Sequence, residues 1–212
     1  MYYIVIYLMY ILHWLERVQA VSEMNKKTQP VKNRKKVNEI LTYLRGKNER
    51  DYMIAKTQLN TALRISDVLK FKVNDFLLEN GNFRISLNLE EKKTKKNKLI
   101  ALNDTLLDSM RQYIANNNLT PDDYLFRSRK GANKPISTTQ AHRIFYDVAQ
   151  ALHLENFGTH SLRKTWGYFC YMETKNIALI MEVYNHASEK ITLRYIGITQ
   201  NDIDKMYFNI QF

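Results

Sequence analysis

Five short segments along the chain carry side chains that suit phosphate chemistry. They contain Arg64, Lys93, His160 with Arg163, His186 and Tyr195. Arginine binds phosphate oxygens through paired hydrogen bonds, histidine and lysine transfer protons, and a tyrosine hydroxyl is a nucleophile. Taken singly, each residue has an ordinary explanation, such as a solvated lysine, a helix cap or one of 14 tyrosines. Their joint occurrence in this order predicts a catalytic site.

The sequences around these residues resemble the tyrosine recombinase family, also called the phage integrase family, over roughly 31–212. The resemblance is carried by TALRISD at 61–67, the lysine run at 92–98, HSLR at 160–163, and His186 followed nine residues later by Tyr195. The chain departs from the family at Tyr184-Asn185-His186, where Leu-Gly-His is usual. Asparagine tolerates the left-handed backbone conformation that glycine adopts, so this departure is compatible with activity.

The resemblance implies a fold of the α+β class, mainly α-helical, in which residues 31–212 form the tyrosine recombinase catalytic domain with a small three-stranded antiparallel sheet. Alternation of apolar and polar residues through 82–89 predicts a half-buried strand, with Phe83, Ile85, Leu87 and Leu89 on the buried side. Shorter strands near 73–77 and 98–102 would complete the sheet. Lys93 and its lysine neighbours would then lie in or beside the second turn.

The resemblance also implies a reaction, in which DNA strands are cut and rejoined through a 3′-phosphotyrosyl intermediate. Arg64 and Arg163 would hold the scissile phosphate, and Tyr195 would attack it. Helical spacing independently places His160, Arg163 and Gly167 on one face at i, i+3 and i+7, where the glycine would leave room for a phosphate to approach closely. The other implied roles are proton donation to the leaving 5′ oxygen (Lys93), assistance of proton movement at the nucleophile (His160) and a hydrogen bond to the phosphate (His186).

The charge of the chain agrees with a DNA partner. Lysine and arginine number 32 against 21 acidic residues, which leaves a formal net charge of +11, and such a surface attracts phosphates. We therefore expect double-stranded DNA as the partner. The candidate DNA-binding residues are Lys26, Lys27, Lys35, Lys36, Lys92, Lys95, Lys96, Arg127, Arg129, Lys130 and Arg143.

No cofactor or metal is expected. The sequence has no CxxC, HExxH or P-loop motif, and a phosphotyrosyl bond conserves the energy of the broken linkage. The single Cys170 cannot form an internal disulfide, which fits a reducing cytoplasm. Two alternatives share these features: a DNA-binding regulator or accessory protein of the same fold without recombination activity, and a relaxing topoisomerase of the same chemistry. A regulator would be expected to have lost catalytic residues, whereas all are present here.

Residues 1–30 form an apolar and then basic extension. Residues 1–12 are apolar or aromatic, a run shorter than the roughly 20 residues that span a bilayer, so no membrane partner is expected. Three interpretations are open: a helix packed on the domain, a partner-binding helix, or, as we favour, sequence upstream of a true start at Met24. With about 30 residues ahead of it, the catalytic domain would lack the core-binding domain usual in the family. Three alternatives are then open: an accessory DNA-binding protein supplies specificity and affinity, a second protomer supplies them, or both are weak.

Hydrophobic spacing predicts the helices. A period near 3.6 predicts helices over 35–44, from about 52 to a break near Thr61, over 104–115, and from a cap at Ser137 or Thr138. After Tyr195, apolar residues at 203, 206, 207 and 210 predict a terminal helix with one apolar face. We expect a monomer that self-associates on DNA through residues 199–212.

Overall fold

The computed structural model describes residues 28–90 and 97–210, apart from the side chains of residues 203, 205 and 206. Expectations for residues 1–27, 91–96 and 211–212 therefore lie outside the described residues. The described part is mainly helical, with nine α-helices, one 3₁₀ helix at Val73–Phe76 and two strands, β1 (Ser86–Glu90) and β2 (Asn97–Ala101). The helices are α1 (Arg34–Lys47), α2 (Glu49–Thr61), α3 (Ile65–Val68), α4 (Asp104–Asn116), α5 (Thr138–Ala151), α6 (Ser161–Thr174), α7 (Ile177–Tyr184), α8 (Glu189–Tyr195) and α9 (Gln200–Asn209).

Polar side chains fix where the predicted helices begin. Asn33 accepts hydrogen bonds from two backbone N–H groups at the start of α1, and Asn48 accepts one at the start of α2. Ser137 and Gln140 form a reciprocal capping box on α5. These caps satisfy N–H groups that have no partner within the helix. The helices predicted from spacing are confirmed, and the break after Thr61 separates α2 from α3.

Two apolar clusters form the core of the described part. The larger one unites α1 to α5 with the hairpin, and its central helix α2 packs against α1, α4 and α6. The smaller one contains Ala62, Ile180, Tyr184 and Ile196, with Trp166 and Tyr195 among the partly buried residues that pack on it. In the part of the chain that the structure describes, no helix is both long and apolar enough to cross a membrane.

The expected three-stranded sheet is wrong, because the described sheet has two strands. Residues 73–76 form the 3₁₀ helix, and only an isolated bridge joins Leu77 to Phe83. The backbone N–H groups of Val73 and Asn74 bond to the loop that contains residues 121–123, so they cannot join a strand ladder. Ile85, which the alternating pattern placed on the buried side, lies at a bend before β1 and is 81% exposed.

Residues 28–32 form a strap that joins the start of α6 to the chain beyond α8. Val31 donates its N–H to Thr165 Oγ1 over 2.8 Å, and Lys164 Nζ donates to the carbonyl of Thr28 over 2.5 Å. At the other end Lys32 forms an ion pair of 3.2 Å with Asp202 of α9. The strap therefore connects the start of α6 to α9, the helix that follows Tyr195.

Candidate active site

Arg163 lies at the centre of the site and is held rigidly by its surroundings. It is in the first turn of α6 and is only 1% exposed. Its guanidinium donates to the carbonyl of Ala62 and lies 4.7 Å from the centroid of the Tyr184 ring. Tyr184 Oη in turn donates to the Arg163 carbonyl over 2.6 Å. Both ends of the arginine are thus fixed before any ligand arrives.

Arg64 is brought beside Arg163 by the break between α2 and α3. Ala62 ends α2 in the left-handed conformation (φ 55°), and Arg64 takes the N-cap position of α3. Gln58 is fully buried, and its Nε2 donates to Leu63 O at 3.2 Å and to Thr159 O at 2.8 Å. One amide therefore ties the loop that carries Arg64 to the loop that carries His160.

Tyr195 ends α8 among aromatic rings and cations. Its ring centroid is 5.2 Å from that of Tyr184 and 5.0 Å from that of His186, and Lys164 Nζ lies 5.1 Å from it. Burial raises the pKa of Tyr195, while the nearby guanidinium of Arg163 and then the charge of Arg64 act in the opposite direction. The phenol is therefore protonated at neutral pH, and two arginines are placed to stabilise it when it ionises.

Both histidines of the predicted site are neutral at physiological pH. His160 keeps some solvent exposure, but partial desolvation of its ring, followed by the charges of Arg163 and Lys164, lowers its pKa to about 4. Partial burial and the charges of Arg163 and Arg64 also lower the pKa of His186. Asn185 adopts the left-handed conformation (φ 55°, ψ 50°), as predicted, and ends α7 just before His186.

A cleft of about 860 Å³ opens beside these residues. His160, Lys164 and Tyr195 form part of its lining, together with His142 and Phe157. The cleft gives a large substrate access to the nucleophile. The structure thus brings together Arg64, His160, Arg163, His186 and Tyr195 on one face of the molecule.

Gly167 has a different role from the one expected. Its missing side chain makes room for Tyr184 and Ile196 and does not make room for a phosphate. A Cβ atom at this position would lie 2.7 Å from Tyr184 Cε2 and 2.8 Å from Ile196 Cγ2, besides touching Tyr184 Oη. The glycine therefore lets Tyr184 reach the Arg163 carbonyl.

Replacing Gly167 with alanine is expected to destabilise the fold by about 1–3 kcal/mol, the usual cost of overpacking a core. The added methyl group would displace Tyr184 and release Arg163, so DNA cleavage should fall as well. Chemical denaturation of the variant measures the first effect. Gly46→Ala is the matched control, because a Cβ there meets open space in α1 and alanine favours a helix by up to about 1 kcal/mol. Equal stability of the two variants would contradict the packing role of Gly167.

Several residues of the site were not found from the sequence. These residues are Gln58, Lys164 and Thr192. Each contacts a residue distant in the chain or a histidine ring, and a local sequence pattern does not predict such contacts. Asp67 is a buried carboxylate one turn after Arg64, and such a group is rarely buried without compensating interactions. The position of Asp67 in the TALRISD motif is the sequence feature that could have identified it as part of the site.

The candidate DNA-binding residues differ in exposure and in their contacts. Lys35, Arg129, Lys130 and Arg143 are exposed. Lys36 pairs with Glu39 (2.8 Å) and Arg127 with Asp123 (3.1 Å), so both also have structural partners. The remaining candidates, Lys26, Lys27, Lys92, Lys95 and Lys96, lie outside the described residues, as does Lys93.

The β1–β2 hairpin is nevertheless anchored beside the site. Glu90 pairs with Asn97 at the end of the ladder, so the lysine-rich segment 91–96 connects the two strands. Lys98 Nζ donates to the carbonyl of Val183 over 2.6 Å, three residues before His186. Among the described residues, no group of three or more His, Cys, Asp or Glu side chains could hold a metal ion.

A helical domain with two converging arginines, two histidines and a partly buried tyrosine defines a tyrosine recombinase catalytic domain. The model of the phage integrase family matches residues 31–202, and the chain belongs to that family. Among curated proteins it is similar to the probable integrase/recombinase YoeC of Bacillus subtilis (strain 168), with 40% identity over 179 residues, which cover 84% of this chain and 94% of YoeC. It is also similar to tyrosine recombinase XerH of Campylobacter jejuni, with 25% identity over 74% of this chain and 43% of XerH.

Solved structures show the same fold. The XerH recombinase bound to palindromic difH substrate, a post-cleavage complex, superposes with a TM-score of 0.68 at 20% identity, over 86% of this chain and 53% of that chain. The catalytic domain of bacteriophage HP1 integrase gives a TM-score of 0.55 at 18% identity, over 80% of this chain and 87% of that domain. This chain thus spans about half the length of the XerH proteins that it matches.

Proposed function

We propose that this chain is a site-specific DNA recombinase that cleaves and rejoins DNA strands through a 3′-phosphotyrosyl intermediate. The observation that carries the proposal is the position of buried Arg163 beside Tyr195, since both pack on the ring of Tyr184, at 4.7 Å and 5.2 Å from its centroid. The charges of Arg163 and Arg64 both act on the phenol and favour its ionisation. Preorganised guanidinium groups stabilise charge that grows on phosphate oxygens and cost no rearrangement at the moment of reaction. A DNA substrate would place this reaction in the cytoplasm.

The proposed cleavage forms one bond and breaks one. Tyr195 Oη attacks the phosphorus atom, gives up its proton to a base in the site, and becomes joined to the 3′ phosphate. The bond from phosphorus to the 5′ oxygen breaks, and Lys93 supplies the proton that turns this oxygen into a hydroxyl. Attack by a 5′ hydroxyl on the phosphotyrosine reverses the steps and rejoins the strand without ATP.

Double-stranded DNA fits the exposed basic residues around the site. The chain has a net charge of +11, and Lys35, Arg129, Lys130 and Arg143 are free to reach phosphates at the surface. The related XerH structure is a complex with its difH substrate. Because each phosphate contact releases counterions, the affinity for DNA should fall steeply as salt rises.

The test is a covalent capture assay. A nicked duplex that carries candidate sites traps the intermediate, because the short cleaved fragment leaves and religation stops. We expect a protein–DNA adduct that survives denaturation and is digested by a protease. Salt-sensitive DNA binding with no adduct on any site would instead favour the alternative of a DNA-binding regulator with this fold.

Lys93 is proposed as the general acid because it belongs to the segment that connects β1 to β2, and Lys98 of β2 bonds to Val183 O, three residues before His186. Lys93→Ala should slow cleavage of ordinary DNA by about 100-fold or more, in the range that general acids contribute. A 5′-bridging phosphorothiolate should restore the rate, since its sulfur leaves without a proton. Single-turnover cleavage measures both. Lys92→Ala and Lys95→Ala are the controls, and rescue of either one in place of Lys93→Ala would assign the role to that lysine.

Self-association on DNA is proposed for the terminal helix. Tyr207, Phe208 and Ile210 are 79%, 75% and 58% exposed, and they form an apolar surface on and just after α9. Light scattering should show a monomer in solution and larger complexes on site DNA, and the double substitution of Tyr207 and Phe208 with serine should abolish the larger complexes. Leu179→Ser, at a position of α7 that is 60% exposed, should leave them intact. Assembly by the double variant would point to an accessory DNA-binding protein or another surface.

A further inference from the structure

Each residue of the strap, 28–32, contacts a different residue of the domain. In chain order the partners are Lys164, Asn156, Gly197, Thr165 and Asp202. Three of these partners lie at or just before the start of α6, the helix that carries Arg163, and the other two follow Tyr195 in the chain. The strap therefore lies between the helix of the central arginine and the turn at residues 196–199, which directly follows the nucleophile.

The anchor of the strap on α6 is the hydroxyl of Thr165, which is fully buried. It accepts the N–H of Val31 over 2.8 Å and donates to the carbonyl of Ser161 over 2.8 Å. A hydroxyl has one hydrogen to donate and lone pairs that accept, so both bonds form together. Thr165 and Arg163 belong to the same turn of the helix, so the strap is fixed to the backbone that carries the arginine.

The contact of the strap with the turn at 196–199 is made by Pro30 and Gly197. Gly197 has a φ of 78°, which glycine adopts more readily than other residues. A Cβ atom at this position would lie 2.6 Å from Pro30 Cγ and 2.8 Å from Pro30 Cδ. The proline ring therefore fills the space of the missing side chain, and the backbone two residues after Tyr195 lies directly against the strap.

Two lysines add charged contacts at the ends of the strap. Lys32 Nζ lies 3.2 Å from Asp202 Oδ2, and the same oxygen accepts the N–H of Thr199 over 2.9 Å at the end of the turn. At the other end Lys164 Nζ, which donates to the strap, lies 5.1 Å from the centroid of the Tyr195 ring. Both ends of the strap thus reach the surroundings of the nucleophile.

We propose that the strap is a positioning element for the nucleophile: it holds the turn at 196–199 against α6, so that Tyr195 faces a phosphate bound by Arg163. This inference rests on the proposed function. Attack requires the reacting atoms to lie about 3–3.5 Å apart, and a displacement of about 1 Å can lower a rate about 100-fold. Because the strap is anchored on the helix turn of Arg163, it fixes nucleophile and phosphate site to one piece of backbone.

The first test measures the turn in the free protein. The backbone N–H groups of Gly197 and Ile198 donate to carbonyls of α8 over 3.3 Å and 2.9 Å, so their hydrogen exchange with solvent reports opening of the turn. Thr165→Val keeps the shape of the side chain and removes the hydroxyl that holds the strap. The two amides should then exchange about fivefold faster or more, as expected for the loss of one buried hydrogen bond. Thr165→Ser keeps the hydroxyl and should match the wild type.

Pro30→Ala tests the other side of the strap. It removes the ring atoms that contact Gly197 and leaves α6 unchanged, so the amides of residues 197 and 198 should again exchange faster, while those of α2 should not. Pro121→Ala is the matched control, because it removes a proline from an exposed turn elsewhere, and it should not change their exchange. Unchanged exchange at 197 and 198 in both Thr165→Val and Pro30→Ala would overturn the proposal, as would equal acceleration in α2 for both.

The second test is single-turnover cleavage of a nicked substrate by saturating protein, with the DNA affinity measured alongside. Thr165→Val and Pro30→Ala should cleave at least about tenfold more slowly at unchanged affinity, and the two control variants should match the wild type. A loss of rate without a loss of affinity separates positioning from a loss of folded protein. Wild-type rates in both strap variants would overturn the proposal. A wild type that forms no adduct would overturn the proposed function, and the exchange data would still show whether the strap holds the turn.

Discussion

Replacing Tyr195 with phenylalanine is expected to abolish the covalent protein–DNA adduct and to leave DNA binding nearly unchanged. The substitution removes one hydroxyl and keeps the ring that packs on Tyr184 and His186. Since the hydroxyl oxygen forms the bond to phosphorus, no other group of the side chain can replace it. Denaturing gel electrophoresis after incubation with a nicked substrate measures the adduct, and a mobility-shift titration measures binding.

Tyr43→Phe is the matched control for this change. Tyr43 is half-buried in α1, and removal of its hydroxyl leaves the catalytic face untouched. The control should form the adduct at the wild-type rate. An undiminished adduct from Tyr195→Phe would show that a different residue is the nucleophile.

Replacing Arg163 with lysine should lower the cleavage rate by about 100-fold or more, the size of effect expected when a preorganised donor to a developing oxyanion is removed. Lysine keeps the charge but loses the planar fork that can bind Ala62 O and a phosphate oxygen at the same time. Single-turnover kinetics with saturating protein measures the loss. The melting temperature should also fall, because Arg163 is almost fully buried with hydrogen bonds at both ends.

Arg111→Lys is the matched control for the Arg163→Lys substitution. Arg111 lies on the exposed face of α4, where it pairs with Asp108 over 2.9 Å, and such surface pairs contribute little to stability. Its rate and melting temperature should match the wild type. Near-normal cleavage by Arg163→Lys would argue against the proposed arginine clamp on the phosphate.

The helices could be predicted because their signals are local. Apolar spacing and polar caps lie within one stretch of sequence, so Asn33, Asn48 and Ser137 begin helices where the pattern indicates. The prediction of a third strand was wrong because that strand depends on contacts distant in the sequence. The backbone N–H groups of Val73 and Asn74 bond to acceptors in residues 121–123, about fifty positions away, and this keeps them out of a strand. An alternating sequence pattern does not predict such long-range contacts.

The residues of the site also differ in whether the sequence could predict them. Residues that perform chemistry stand in recognisable motifs, and the structure places Arg64, Arg163 and Tyr195 together. Residues that position them do so through long-range contacts, as Gln58 does with Thr159 across 101 positions. Gly167 lies in a motif-bearing helix, but the space that it leaves is filled by Tyr184 from another helix. The sequence does not show whether the space beside a glycine is filled by another side chain or by a ligand, but the folded structure does.

The most direct measurement is the identity of the residue joined to DNA. An adduct formed on a nicked substrate is digested with nuclease and protease, and mass spectrometry locates the remaining nucleotide on a peptide. We predict a 3′-linked nucleotide on Tyr195, in the peptide that follows Arg194. A nucleotide on any other residue, or a 5′ linkage, would contradict it.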